Sequence, residues 1–228
     1  MEEAFLWLQI HPPEQSCVIL ADTQTKGRGR RGRAWESFQG NLSMSIGFYL
    51  PLSVENFSEL SFVTAIALGE TLKMLYPEMA FGYKWPNDIL IQGKKVAGIL
   101  IETDCKQHSR AVVVGIGVNL KQSSPLKNYP TTSIYNETHV IISPEDFLGA
   151  LIPLFDRYKD LWLKEGFLKI SQEWHKKALY LEQPMSILTA EGLLKGIFQG
   201  MDARGHLKLQ VPSGGVRTFS AAETIKPD

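Results

Sequence analysis

Five cations fall within eight residues in the run Lys26-Gly27-Arg28-Gly29-Arg30-Arg31-Gly32-Arg33. Like charges this dense repel, so the segment is expected to stay mobile until an anion neutralises it. The intervening glycines permit positive φ and let backbone N–H groups converge as an anion nest. Each guanidinium adds a planar fork that matches two oxygens of a carboxylate or phosphate. One such pair at ~4 Å and an effective dielectric near 20 carries about 4 kcal/mol of Coulomb attraction before desolvation and screening. The whole chain of 228 residues is neutral, with 24 Lys+Arg against 24 Asp+Glu. That balance argues against a surface that attracts nucleic acid everywhere. On its own the loop reads either as a solvated basic turn or as a local anion site.

Two glycine patterns in this loop do not carry their usual meaning. Gly27-x-Gly29-x-x-Gly32 spells the dinucleotide fingerprint, but no helical period follows it. The candidate acid, Glu55, lies beyond Pro51 with no strand leading into it. Gly27 and Gly32 also mimic a phosphate loop, yet Arg33-Ala34 stand where Lys and Ser/Thr are required.

Other chemistry-bearing residues are more dispersed. Lys84 and Asp88 flank a Trp85-Pro86-Asn87 turn, and Lys95 opens a strand beside Lys94. Gly98 would let a strand backbone approach a ligand where any side chain would intrude. Asn119 ends a strand after two glycines; its amide can both donate and accept toward a ligand, or cap its own turn. Two cysteines make neither a disulfide framework nor a metal cage and fit a reducing compartment. Five scattered histidines show no HxxxH spacing, which argues against zinc. No apolar run reaches the roughly 18 residues of a membrane span. Met1-Glu2-Glu3 is acidic where a signal peptide would be basic, so the expectation is cytoplasmic.

The elements that must hold these residues follow from periodicity. A short helix is expected over 4–10 and a buried strand over 17–21. From Leu42 to Leu50, Leu42, Met44, Ile46 and Phe48 alternate with Ser43, Ser45, Gly47 and Tyr49, the period of a strand with one buried face. Helical spacing runs from Phe57 to Leu75 and stops at Pro77. Strands over 81–85, 88–92 and 95–102 include a hairpin turning at Gln92-Gly93, and another strand covers 111–120. Ser143-Pro144-Glu145-Asp146 is a helix start whose helix reaches Trp162 with a kink at Pro153, and a further helix is expected over 167–180. From Pro184 short apolar runs alternate with glycine turns, the texture of a small antiparallel barrel.

Four blocks in order give the chain a resemblance. They are Gln24-x-x-Gly27-Arg28-Gly29-Arg30-Arg31-Gly32-Arg33-x-Trp35, Lys84-Trp85-Pro86-Asn87-Asp88, Lys95-x-Ala97-Gly98-Ile99-Leu100-Ile101-Glu102 and Gly115-x-Gly117-Val118-Asn119-Leu120. Together they closely resemble the biotin protein ligases, from about residue 18 to residue 120 and again weakly in the barrel. The resemblance implies an α+β fold, a mixed β-sheet flanked by helices of the class II aminoacyl-tRNA synthetase/biotin ligase type, with a small C-terminal SH3-like β-barrel. Residues 1–182 would form the catalytic biotin- and ATP-binding domain, and 183–228 the barrel.

It also implies chemistry. Biotin and ATP would form biotinyl-5′-adenylate, and a lysine of a carboxyl-carrier protein of a biotin-dependent carboxylase, such as acetyl-CoA carboxylase, would take the biotinyl group. By resemblance Arg28, Gly29 and Arg30 close over biotin and the adenylate phosphate, Arg30 being the residue most needed to retain the intermediate. Lys95 would meet the carboxyl and phosphate oxygens, Gln24 the biotin ureido group or tail, and Gly98 the bicyclic ring. Lys84 would contact phosphate, and Asp88 would hold a magnesium-bound water or orient Lys84. Asn119 would face adenine, and Mg²⁺ would arrive with ATP through phosphate oxygens. Trp85 reads as packing.

The family has a Ser/Thr-Thr-Asn stretch roughly 20 residues before the glutamine, whereas only 23 residues precede Gln24. Either the natural start lies upstream or the biotin pocket lacks one wall. No room remains for a DNA-binding helix-turn-helix, so the expectation is a ligase without repressor activity. Lipoate or octanoate ligases, the enzymatic rival, carry a glycine run and a His-Asp pair, which this chain lacks. A homodimer is compatible with the family, and neither nucleic acid nor membrane is expected as a partner.

Overall fold

The computed structural model describes residues 1–106, 109–124, 129–189, 192–220 and 223–225. A six-stranded sheet forms the body, in the order β1 (Cys17–Leu20), β2 (Leu42–Tyr49), β6 (Ser109–Val118), β5 (Lys94–Lys106), β4 (Asp88–Ile91) and β3 (Phe81–Lys84). Its ladders are antiparallel, and parallel pairing among the described residues is confined to the isolated bridges Tyr83–Ala178 and Lys95–Thr131. The "mixed" sheet expected from the family is thus antiparallel in its ladders. The turn between β4 and β5 lies at Gln92-Gly93, both with positive φ (49° and 75°), which suits a tight hairpin.

One face of the sheet is apolar, and the other carries small residues along its centre. Leu42, Met44, Ile46 and Phe48 of β2 and Val112, Val114, Ile116 and Val118 of β6 join a core with α2 (Glu59–Leu75), α4 (Pro144–Glu165) and α5 (Phe167–His175). α2 is buried from Leu60 through Gly69 and again at Thr71 and Leu72, so even its polar positions need internal partners. Thr64 and Thr71 supply them by donating to the carbonyls of Leu60 and Ala67. Gly69 is needed for contact with the sheet, because a Cβ there would meet the Tyr83 hydroxyl at 2.1 Å.

On the opposite face, α1 (Glu2–Ile10) covers one end, packing Ala4 and Leu8 against Cys17, Ala111 and Val113. The remainder of that face is left to the site.

α4 starts where the sequence places it, with Ser143 accepting from the Asp146 amide at 3.0 Å and Pro144 in the first turn. The helix runs through Pro153 as a single element. α5 ends at His175, shorter than the expected 167–180; residues 177–179 instead strap β3, through Tyr83 N–H to Lys177 O and Leu179 N–H to Tyr83 O.

The second sheet has the order β10 (Val216–Phe219), β9 (Leu207–Gln210), β8 (Gly192–Met201), β7 (Pro184–Thr189) and β11 (Glu223–Ile225). It does not stand apart from the body: Met185, Ile187, Phe198, Met201, Leu207 and Leu209 belong to the same buried cluster as α2 and α5. Gly205, in the β8–β9 turn, accepts from Trp85 Nε1 at 2.9 Å. No helix among the described residues is long and apolar enough to cross a membrane.

Candidate active site

The register of five strands brings the dispersed residues into line. Lys84 pairs with Asp88, Asp88 with Gly98, Gly98 with Gly117, and Gly117 with Ser43. The row continues onto the end of β1, where the Ala21 amide donates to Ser43 O. A second row runs Leu100–Gly115–Ser45–Ile19. Side chains alternate across a strand, so both rows face the same side of the sheet. Every residue in them lines one cavity of about 490 Å³, well within the range of small-molecule sites. The floor is therefore mainly Gly, Ser and Ala, with Leu100 and Ile19 at the ends of the second row, and it is bounded at the β3–β4 edge by a lysine and a carboxylate.

Residues 27–35 form one wall of the cavity as a narrow hairpin. The Trp35 amide donates to Gly27 O at 3.0 Å and the Gly29 amide to Arg33 O at 2.7 Å. A Cβ on Gly27 would meet Trp35 O at 2.1 Å, so this glycine serves a close backbone approach. The anion nest expected of the alternating glycines takes a different form, because the left-handed residues are Arg31 (φ 57°) and Gly32 (φ 72°). Neither Gly27 nor Gly29 is among the positive-φ glycines. Hydrogen bonding across the hairpin fixes its backbone and sets the arginine side chains along the cavity wall.

Those side chains are held from the sheet. Arg28 Nη2 lies 3.3 Å from Glu102 Oε2, and Glu102 shares the Gly98–Leu100 face of β5. Arg30 Nη1 reaches Asn87 Oδ1 at 3.5 Å. Burial lowers the pKa of the Arg30 guanidinium, as do the neighbouring charges of Arg31 and Arg33, while Asp88 opposes them. An incoming anion would relieve that crowding.

Lys95 Nζ donates to Asp88 Oδ1 at 2.6 Å, each side chain 16% exposed, and lies 5.5 Å from the centre of the Trp35 ring. The indole lies over the paired glycines: a Cβ on Gly117 would come within 2.4 Å of it and one on Gly98 within 3.2 Å. Lys84 is buried, its ammonium 4.2 Å from the centre of the Tyr129 ring. The Trp85-Pro86-Asn87 turn is tied down by Ser61 donating to Pro86 O and by Asn87 Nδ2 donating to Ile99 O. Trp85 itself is buried, consistent with a packing role.

Asn119 is buried at the end of β6, and its amide donates to Thr132 O at 3.0 Å rather than capping its own turn. Thr131 and Ser124 complete that side, with Thr131 Oγ1 donating to Ser124 O. Ser124 also donates to Glu36 at the cavity mouth.

All nine residues expected at the site, Gln24, Arg28, Gly29, Arg30, Lys84, Asp88, Lys95, Gly98 and Asn119, line this single cavity. Sequence reasoning gave no role to Trp35, Ser43, Ser45, Asn87, Gly115, Gly117 or Thr131. The alternation of β2 already set Ser43 and Ser45 on one face; the missing information was the register that lays them beside Gly117 and Gly115. As to metal, the described residues contain no group of three or more His, Cys, Asp or Glu able to hold an ion. Asp88, the carboxylate considered for Mg²⁺, is engaged by Lys95.

The cavity thus offers a small-residue floor, an aromatic cover and cations on two sides. Such a site can hold an acyl carboxylate against a phosphate.

The sequence pattern of the biotin/lipoate A/B protein ligase family matches residues 2–119. The biotin–[acetyl-CoA-carboxylase] ligase of Paracoccus denitrificans is 37% identical over 217 residues, covering 92% of this chain and 90% of that protein. The bifunctional ligase/repressor BirA of Bacillus subtilis is 32% identical over 219 residues, covering 91% of this chain and 65% of that protein. Among solved structures, the Aquifex aeolicus biotin protein ligase in complex with biotin and ATP superposes with a TM-score of 0.83. That match is 27% identical and covers 99% of this chain and 95% of that one. The chain belongs to the biotin/lipoate A/B protein ligase family.

Proposed function

We propose that this chain is an ATP-dependent biotin protein ligase. The observation that carries the reading is the row Lys84–Asp88–Gly98–Gly117–Ser43 beneath Trp35, with Lys95 and the arginine hairpin beside it. A compact bicyclic ring fits a floor of glycines and serines, under an indole. Ser43, Ser45 and Gln24 suit its polar ureido group, and the cations suit its carboxylate next to a phosphate.

In the first half-reaction a carboxylate oxygen of biotin bonds to the α-phosphorus of ATP. The bond from that phosphorus to the bridging oxygen breaks, and pyrophosphate leaves with the electron pair. Two anions must approach, so catalysis consists of holding them in line and offsetting charge as it develops. Lys95 and Arg30 are assigned this task, with Lys84 and Arg28 on the phosphates and Asn119 toward adenine. In the second half-reaction a lysine amine attacks the acyl carbon of the mixed anhydride. An amide forms, AMP leaves and the amine gives up a proton.

Finer parts of the proposal rest on the same site. Mg²⁺ enters bound to ATP oxygens, because Asp88 is a single carboxylate already paired with Lys95. The acceptor is a biotinyl carrier domain of a carboxylase, and the setting is cytoplasmic, where ATP is available. The catalytic unit is 1–182 and the barrel unit 183–228, since the second sheet opens at Pro184. Incubation with biotin, ATP, Mg²⁺ and a carrier domain, followed by mass spectrometry, tests the reading. Addition of one biotinyl group to one carrier lysine is the expected result; no addition, or addition of a lipoyl group in a parallel incubation with lipoate in place of biotin, overturns it.

A further inference from the structure

The residues around α3 (Ile134–Thr138) lie outside the four motif blocks, yet they grip the cavity wall. Thr132 is held at three points. Its amide donates to Lys95 O at 2.9 Å, its carbonyl accepts from Asn119 Nδ2 at 3.0 Å, and its hydroxyl donates to Glu137 Oε1 at 2.5 Å. The same carboxylate oxygen accepts from Lys94 Nζ at 2.9 Å, and the Glu137 side chain is only 10% exposed. Two further backbone bonds close the frame: Lys95 N–H to Pro130 O at 2.8 Å and Ile134 N–H to Asn119 O at 2.8 Å. One carboxylate therefore pins the segment that bridges the backbone of Lys95, at the start of β5, to the side chain of Asn119, at the end of β6.

We infer that Glu137 is a positioning residue for the nucleotide side of the cavity. It acts by fixing Thr132, and through Thr132 the amide of Asn119 and the backbone of Lys95. Glu137 does not line the cavity. With the carboxylate gone, the Thr132 hydroxyl and the Lys94 ammonium lose a shared, mostly buried acceptor, and the Thr132 carbonyl is free to drift from Asn119. The carboxylate is suited to the task. Its pKa lies below the ordinary value, first because of the Thr132 hydrogen bond, which together with Lys94 outweighs the opposing effect of burial.

This inference rests on the assignment of Asn119 to adenine, so the experiment separates the two. Biotin-dependent pyrophosphate exchange would be measured against ATP and against biotin for wild type, Glu137→Gln, Glu137→Ala, Thr132→Val and Asn119→Ala. ATP binding would be measured alongside by calorimetry. Glu137→Ala and Thr132→Val should each raise KM and Kd for ATP roughly tenfold, about 1.4 kcal/mol, with KM for biotin within about twofold. Their combination should be no worse than either alone, because they break one chain of contacts. Glu137→Gln keeps an acceptor oxygen and should lie between wild type and Glu137→Ala. If Asn119→Ala weakens ATP and neither Glu137 variant does, the positioning role is wrong. Should Asn119→Ala leave ATP untouched, the adenine assignment fails and the inference falls with it. A loss of thermal stability in Glu137→Gln with ATP parameters unchanged would make Glu137 a purely structural residue and overturn the inference.

Discussion

Replacing Gly117 by alanine probes the fit of the arginine hairpin to the sheet floor. A Cβ at this position would stand 2.4 Å from Cε2 and Cζ2 of Trp35 and 2.7 Å from its Nε1. Carbon–carbon contact is comfortable from about 3.5 Å, so the indole must withdraw by roughly 1 Å. The Trp35 amide is bonded to Gly27 O, so the withdrawal passes into the loop that carries Arg28 and Arg30. Displacement by about 1 Å near a reacting centre costs on the order of 100-fold in rate. Overpacking of this kind costs about 1–3 kcal/mol of stability.

Gly98→Ala is the internal comparison. Its Cβ would lie 3.1 Å from Lys95 Cε and Nζ and 3.2 Å from Trp35 Cζ3. The end of a lysine yields by a few tenths of an ångström, so this variant should cost less stability than Gly117→Ala, while its exchange rate also falls because the Cβ faces the ligand and displaces the Lys95 ammonium. The assay is biotin-dependent pyrophosphate exchange beside thermal unfolding for both variants, with Trp35→Ala and Gly117→Ala/Trp35→Ala completing a cycle. In the double variant the clash has no second partner, and stability should recover by about 1 kcal/mol or more over the additive value. Wild-type exchange in Gly117→Ala, a larger loss of stability in Gly98→Ala, or an additive cycle would each refute this account of the hairpin.

Three further outcomes are expected. Lys95→Met should lower adenylate formation by about 100-fold or more, the scale of losing one charge-stabilising donor. Adding Asp88→Asn should restore stability without restoring the rate, because it removes the unpaired carboxylate; recovery of rate would move Lys95 out of the reaction. Trp85→Phe keeps the packing but leaves Gly205 O without its donor, and should cost about 1–3 kcal/mol in denaturant unfolding; an unchanged midpoint would show that this bond does not hold the second sheet to the site. Asp202 sits in the same β8–β9 turn. Burial works against its charge, but hydrogen bonds from the amides of His206 and Arg204, together with the nearby His206 ring, outweigh burial and set its pKa below the usual value. A depressed folded-state pKa means stability is fully present above the unfolded value near 3.9 and is lost as pH falls through the lower, folded value. Asp202→Asn should remove that acid-side loss, and an unaltered stability–pH curve would contradict the argument.

Much of the scaffold was legible locally. Ser143-Pro144 marked the start of α4, Gln92-Gly93 marked a hairpin, and the Leu42–Tyr49 alternation separated a core face from a face of Ser and Gly. These are signals of capping, turn chemistry and period, each readable within a few residues. The cross-strand rows were not readable, because register depends on partners far apart in the chain: Ser43 meets Gly117, which meets Gly98. The arginine hairpin was half legible. Its charge pointed to a place on the cavity wall, which it takes, but its backbone is set by Gly27 against Trp35 rather than by a glycine nest. The shared core of the two sheets was likewise hidden, since the change in texture at Pro184 marks where the barrel begins and not how deeply Phe198 and Met201 are buried with the helices.

The central claim is that this cavity joins the carboxylate of biotin to the α-phosphate of ATP. Exchange of labelled pyrophosphate into ATP, with the chain alone and no acceptor protein, tests it most directly. The account predicts exchange that requires biotin, is not supported by lipoate, and collapses in Lys95→Met. Exchange without biotin, or none with biotin and ATP both present at saturating levels, would contradict it.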